Sequence, residues 1–436
     1  MGKICAIKLA IVPVFLSLVW LFMSPFSLFA DTDKVVVLTE EEAIKMALAD
    51  NYDLLSKEQE VKAASARLKQ AWSQALPYVT VGASWTHYED HPFMTFETNR
   101  GYSISVSQIL FSGGRVANTI ISAKKALKAS KEDKKENENK IVYSVKQSFY
   151  TVLLAKELVK IREETLELAK ESLSITQKRY KAGEAAYYDV LRSEVEVSNL
   201  ETQLIKARNF LETSFNLLKL LLGLDPEQKI DVKGEFSYMP EDIDLKKMID
   251  RAVGKRPVLK QLALQEEAAR AQVRAAFAGF LPQVSFNFTD CANQKEAFSW
   301  SRDEYDDYWV ATVSVSMPLF DGFLTYARVK EAKAKKRQVS ILRKKLRDSV
   351  KVEVENAILD LRAAKKNVEA QKENVKRAEE AYRIVKERYA QGQASHLDLL
   401  DARVALSTAR VNFINSLYDF VVAKAKLDYV VGGGKI

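Results

Sequence analysis

Two repeating patterns of apolar and polar positions alternate along the chain and predict two kinds of element. In the first, an apolar or aromatic residue returns every seventh position. Val159, Leu166, Leu173 and Tyr180 form one such row, and Val368, Val375, Tyr382 and Tyr389 form another. Gln371 and Ala378 fill intervening positions where a dry coiled coil carries leucine. The seam is narrow and the other faces are charged, so long coiled-coil helices beside water are expected. In the second pattern the period drops to two. Val79, Val81, Ala83 and Trp85 alternate with Thr80, Gly82, Ser84 and Thr86. Tyr102, Ile104 and Val106 alternate with serines, as do Val284, Phe286 and Phe288 with Ser285, Asn287 and Thr289, and Trp309, Ala311, Val313 and Val315 with Thr312, Ser314 and Ser316. Strands are predicted at about 79–87, 102–110, 284–289 and 309–317. Each has an apolar face and one of mainly small polar residues, and the lengths suit a tilted bilayer crossing of about ten residues.

The pattern is written twice. Arg179-Tyr180-Lys181-Ala182-Gly183 recurs as Arg388-Tyr389-Ala390-Gln391-Gly392, 209 residues on (388 less 179). Asp189-Val190-Leu191 recurs as Asp398-Leu399-Leu400, and Leu110-Phe111-Ser112-Gly113 as Leu319-Phe320-Asp321-Gly322, at the same spacing. Leu76-Pro77 and Leu54 recur as Leu281-Pro282 and Leu259 at 205 (281 less 76), so the second copy gains residues between Pro282 and Phe320. Two structural repeats follow, 31–222 and 245–431, with a linker at 223–244 and a tail at 432–436. Each reads helix, two strands, very long helix, turn, helix. The turns fall near 183 and 392. Thr39 with Glu42 is a capping box with Leu38 as its staple, opening a helix to about Ala75. Its counterpart is expected at Leu245–Gly279. From Gly114 to Lys181 a helix of roughly 100 Å is expected. The short helices have the lengths to stack end to end against the long ones, in a four-column wall.

Residues 1–30 form a separate object. Lys3 and Lys8 precede an apolar run from Leu9 to about Phe29, with Ala30 before Asp31. This reads as a secretory signal peptide, although Leu28 is large for its place in the cleavage box; the alternative is an uncleaved anchor. No later stretch carries 18 consecutive apolar residues, so membrane entry would require a β-barrel. Four strands cannot close one, so several chains would share it.

Composition narrows the chemistry. The 436 residues carry 66 Lys+Arg and 58 Asp+Glu, and the basic residues form no cluster interleaved with aromatics, which argues against nucleic acid. Only 15 Gly and 9 Pro fit long uninterrupted elements. Beyond the leader Cys291 is the lone cysteine. His87 and His91 straddle a strand end without Cys or carboxylate at ligand spacing, so no metal or other cofactor is expected. No nucleophile–His–acid set marks an exported hydrolase, and an enzyme is not expected.

The opening Leu38-Thr39-Glu40-Glu41-Glu42-Ala43-Ile44, with Ala47-Leu48, Asn51 and Leu54, resembles the TolC family of outer-membrane efflux ducts. So do the duplicated Leu-Pro, Leu-Phe-x-Gly and Arg-Tyr-x-x-Gly landmarks. The resemblance covers about 38–431. It implies a mainly α fold with a membrane β-barrel, in which a homotrimer shares twelve strands above a periplasmic α-barrel. It implies the exit duct of a tripartite efflux or type I secretion system, with a periplasmic adaptor and an inner-membrane pump as partners. The family's lumen aspartates match Asp398 and Asp401, three apart on one helix face. A closed-state latch matches Tyr389 and Asp189. A second latch needs an Arg where this chain has Ala394, opposite Tyr188, which puts it in doubt. The tips around Ala182, Gly183, Gln391 and Gly392 match the adaptor-docking turns. His396, beside the aspartates, stands either as a pH sensor of the gate or as a plain surface residue. The competing reading of the whole is a periplasmic coiled-coil scaffold without a pore, which leaves four lipid-length strands without a purpose.

Overall fold

A computed structural model describes residues 35–87, 89, 98–239, 243–294 and 305–433. The leader, His91 and the end of the tail lie outside the described residues, as does part of the window where the second copy is longer. The first half runs β1 (Val36–Leu38), α1 (Glu40–Asp50), α2 (Tyr52–Ser73), β2 (Tyr78–His87), β3 (Thr98–Ser112), α3 (Arg115–Lys181) and α4 (Tyr187–Leu222). The second runs β4 (Ile230–Val232), α5 (Leu245–Lys255), α6 (Pro257–Phe277), β5 (Gln283–Gln294), β6 (Tyr305–Ser316), α7 (Leu324–Ala390) and α8 (His396–Val430).

Both long helices, α3 and α7, have 67 residues. Straight, each spans about 100 Å. The short helices stand along them in pairs: α2 and α4 lie against α3, and α6 and α8 lie between α3 and α7. The result is the four-column wall that the lengths predict. No helix among the described residues is long and apolar enough to cross a membrane.

Two expected helices are broken. Thr39–Ala75 divides at Asn51, whose backbone is extended at φ −64° and ψ 127°. The Asn51 side chain accepts from the Asp53 and Leu54 amides at 2.9 and 3.2 Å and caps α2, while its amide donates to the Leu221 carbonyl at 2.8 Å. Leu245–Gly279 divides at Arg256, at φ −61° and ψ 123°. Pro257 forces this: the residue before proline is driven from the helical region, while proline itself suits the first helical position. The breaks let α2 and α6 start at the ends of α4 and α8. The predicted capping box at Thr39–Glu42 is present. A further departure lies in the linker, where β4 pairs in parallel with β1. Three-residue strands are too short to show a period.

The apolar cores lie at these joints. One gathers Ala43, Ala47, Leu54, Val145, Phe149, Leu218, Leu222 and Ile230. The other gathers Ala252, Val350, Val354, Ile358, Phe420 and Leu427. Lower down, Leu166, Ala169, Leu200 and Leu204 join α3 to α4. In α7 burial stops at Val368, and the remaining turns to Ala390 are half-buried or exposed.

The four longer strands form one antiparallel sheet in the order β2-β3-β5-β6. They outrun the predicted strands, most of all in β3 and β5, because pairing continues past the clean alternation. Val79, Val106, Phe288 and Ala311 align across one face, and Thr80, Ser105, Thr289 and Val310 across the other. Ser107 donates to Asn287 at 2.8 Å on the polar face. Nothing in the described chain covers the apolar face: Val81 is 79% and Trp309 68% exposed. β2 and β6 each pair on one side only. At the sheet's base Gly114 takes a left-handed φ of 82°, and in the second half Phe323 makes the same turn at 65°. For a residue with a Cβ that conformation costs about 1–2 kcal/mol.

Candidate functional site at the hairpin tips

Each hairpin turns through one left-handed glycine. Gly183 has φ 79° and Gly392 φ 72°. Both close the preceding helix in the same way, with the Glu184 amide donating to the Arg179 carbonyl and the Gln393 amide to the Arg388 carbonyl, each at 2.8 Å. Ala182 and Gln391 are the helix caps before them. A Cβ on either glycine would meet nothing within 4 Å, so the need for glycine is in the backbone angle. All four residues are exposed at the end of the molecule.

The helices that leave the turns start differently. α8 opens with Ser395, and its third residue, Asp398, turns back to accept from the Ser395 amide at 2.9 Å and hydroxyl at 2.7 Å. These bonds hold the Asp398 carboxyl below the ordinary carboxylate range, the hydroxyl contributing most. Ala186 stands in the corresponding place before α4 and offers no side-chain cap. Asp189, the counterpart of Asp398, therefore has no such partner.

Asp398 and Asp401 are both exposed on one face of α8, and Leu399, Leu400 and Arg403 are buried on the other. Arg403 is 3% exposed and joins the two hairpins: it forms an ion pair with Glu196 of α4 and donates to the Leu168 carbonyl of α3 at 3.1 Å. Burying an arginine without partners would cost several kcal/mol, about the penalty of any desolvated ion. Its position pins the base of the acidic face against the first hairpin.

Tyr389 and Asp189 come to the same place without a hydrogen bond between them among the described residues. His396 stands there with them. Its ring lies 5.9 Å from that of Tyr389, and its Nε2 is 2.8 Å from the Ser193 hydroxyl of α4. The Arg179 guanidinium lies 4.8 Å from the Tyr389 ring centre. At 7% exposed, His396 is a core residue of the tip, which decides against the surface reading. Burial pushes its pKa down, opposed by Asp189 and aided by Arg403 and Arg192. Arg403, Glu196 and Ser193 are functional candidates that sequence reasoning missed; their partners are far away in the chain, and no local pattern marks them. The other described histidine, His87, stacks on Trp85 at the far end of β2.

Long paired helices under an uncovered four-stranded sheet, with acids and turn glycines at the free end, define an outer-membrane channel wall. The chain belongs to the outer membrane efflux protein family, whose sequence pattern matches residues 43–224 and 248–433. It is 21% identical over 427 residues to the outer membrane protein TolC of Salmonella enteritidis, covering 95% of this chain and 85% of that protein. It is 23% identical over 336 residues to the outer membrane efflux protein BepC of Brucella suis, covering 77% and 73%. Among solved structures, the Campylobacter jejuni CmeC outer membrane channel superposes with a TM-score of 0.83 at 20% identity, covering 91% of this chain and 86% of that one. CusC superposes at 0.79 and 20% identity, covering 91% and 92%.

Proposed function

We propose that three copies of this chain form one conduit through the outer membrane, the exit duct of a tripartite efflux or type I secretion system. The observation that carries this is the sheet. Its apolar face has no cover in the described chain, and β2 and β6 leave two free edges, which lipid does not tolerate. Pairing β6 of each copy with β2 of the next closes twelve strands and removes every edge. The two halves are structural repeats, and three walls of four columns make a twelve-column α-barrel in the periplasm.

The tips perform the gating. Asp398 and Asp401 from three chains ring the narrowest point, where they attract cations and repel one another. Tyr389 and Asp189 latch the second hairpin to the first in the closed state, and Tyr389→Phe raises the leak conductance. Ala182, Gly183, Gln391 and Gly392 meet a periplasmic adaptor, which links the duct to an inner-membrane pump that supplies the energy. The exposed acids on the face opposite the Arg403 anchor support this assignment.

Single-channel conductance in a planar bilayer tests the proposal. The wild type is expected to give a small cation-preferring conductance whose preference weakens in Asp398→Ala/Asp401→Ala. An unchanged preference moves the constriction elsewhere. Folded protein that fails to insert overturns the barrel and leaves the pore-free scaffold.

A further inference from the structure

Ser193 determines which form of His396 it holds. The Ser193 hydroxyl donates to the Asp189 backbone carbonyl at 2.8 Å, so its one proton is committed. Toward His396, at 2.8 Å, it therefore acts as acceptor, and Nε2 must carry the hydrogen. The other ring nitrogen, Nδ1, is then a bare acceptor. It is buried and has no hydrogen-bond partner. A second proton would create a buried donor with no acceptor, beside the positive end of α8, where His396 is the first residue.

The surrounding charges decide the balance. From α4, Asp189 attracts a charged ring and Arg192 repels it; from α8 itself, Arg403 repels it, though paired with Glu196, and the Asp398 carboxylate is engaged by Ser395. α3 contributes Arg179, which lies over the Tyr389 ring, and α7 contributes Tyr389 itself. Asp189 is thus the one acid among the described residues that favours the proton, against burial, two arginines and the helix end.

We propose that His396 is a proton-released pin between the two hairpin tips: neutral, it ties the start of α8 to Ser193 of α4; protonated, it leaves that pocket and frees the second hairpin to move. The proposal deepens the gate reading above and rests on it. The sign follows from proton counts. With the pin seated, His396 binds protons less readily than when the tip is apart and the ring is in water, where its pKa is the ordinary 6.5. The open tip therefore holds more protons, and closure is stabilised above about pH 6.5 and weakened progressively below it. The location suits a release device, because burial in α7 ends at Val368, well before the tip.

The test uses the purified full-length protein in planar bilayers between pH 7.5 and 5.5, comparing the wild type with His396→Gln. Glutamine keeps a donor for Ser193 and cannot titrate. The wild type is expected to open more often as the pH falls, by up to about tenfold per chain over the range, and the glutamine variant to stay flat. An equal rise in the variant, or a conducting wild type whose opening does not rise, overturns the pin. A second readout is independent of conductance: histidine ring NMR of the detergent-solubilised protein, with His396 assigned by its loss in the variant. A pKa below the ordinary value and an Nε2–H tautomer are expected. An ordinary pKa with mixed tautomers overturns the pin whatever the channel does. A seated, depressed His396 in a protein silent at every pH keeps the pin and overturns the duct.

Discussion

Asn51 and Arg256 occupy the same station in the two halves, 205 residues apart (256 less 51), and solve the same problem with different chemistry. At each station a short helix must begin where another ends. In the first half the joint is neutral and small. Asn51 caps α2 and donates to Leu221, and Gly223 lets the chain pass so close that a Cβ there would lie 2.3 Å from the Asp50 carbonyl. In the second half the joint is charged. The Arg256 side chain is 7% exposed, 3.4 Å from Glu136 and 2.5 Å from Glu353, with its guanidinium over the Tyr429 ring at 5.4 Å. Tyr429 also donates to Glu136 at 3.1 Å. Glu136 lies on α3 and Glu353 on α7, so one side chain ties the two long helices together. Asn51 acts only within its own column. The two halves thus share the backbone break at this station and differ in what the side chain holds: the first joint tunes one column, the second clamps a pair.

That contrast is open to experiment. Arg256→Ala leaves two carboxylates without their cation, and a loss of about 3–5 kcal/mol is expected, read as a large fall in the thermal midpoint of the helical circular dichroism. A shift no larger than that of Asn51→Ala would end the clamp interpretation. Gly223→Ala comes next. Its Cβ would collide with backbone at 2.3 Å and hold a φ of 73°, so about 2–4 kcal/mol is expected from overpacking and conformation together. Gly432, at the charged joint, has its nearest contact at 3.2 Å, and alanine there should be milder; equal shifts would mean the joints are equally tight. Asn51→Ala removes a cap and the bond to Leu221, for about 1–2 kcal/mol. Gly183→Ala is the smallest, about 1 kcal/mol, because the tip offers open space and only the left-handed angle is strained. Differential scanning of this series separates crowding from backbone strain, since Gly183 and Gly223 share nearly the same φ.

The two tips differ in the same way. Ala186 and Ser395 begin α4 and α8 at equivalent places, and only Ser395 engages the acid that follows. Asp398 is spent partly on a cap, while Asp189 is left to face His396. Both acids were legible as a repeated motif in the sequence. Their different duties were not, because a motif records residue type and spacing but not the neighbour across the helix.

Short-range periods and backbone preferences account for everything that was readable before the fold was known. The seven-residue and two-residue patterns specified the long helices and the four strands, the Gly183 and Gly392 turns followed from the need for a left-handed residue, and the duplicated landmarks identified equivalent stations. The expected helix Leu245–Gly279 ran through Pro257, although proline restricts the residue before it whatever surrounds them and so marked that break locally. Asn51 carried no such mark, because asparagine breaks a helix only where its side chain finds work, here at Leu221, 170 residues away. Folding itself settled the β1–β4 pairing, the Arg256 clamp, the Arg403–Glu196 tie and the burial of His396 against a serine 203 residues earlier. Burial and pairing depend on which distant surfaces meet, and polar side chains in particular take their role from the partner that removes them from water.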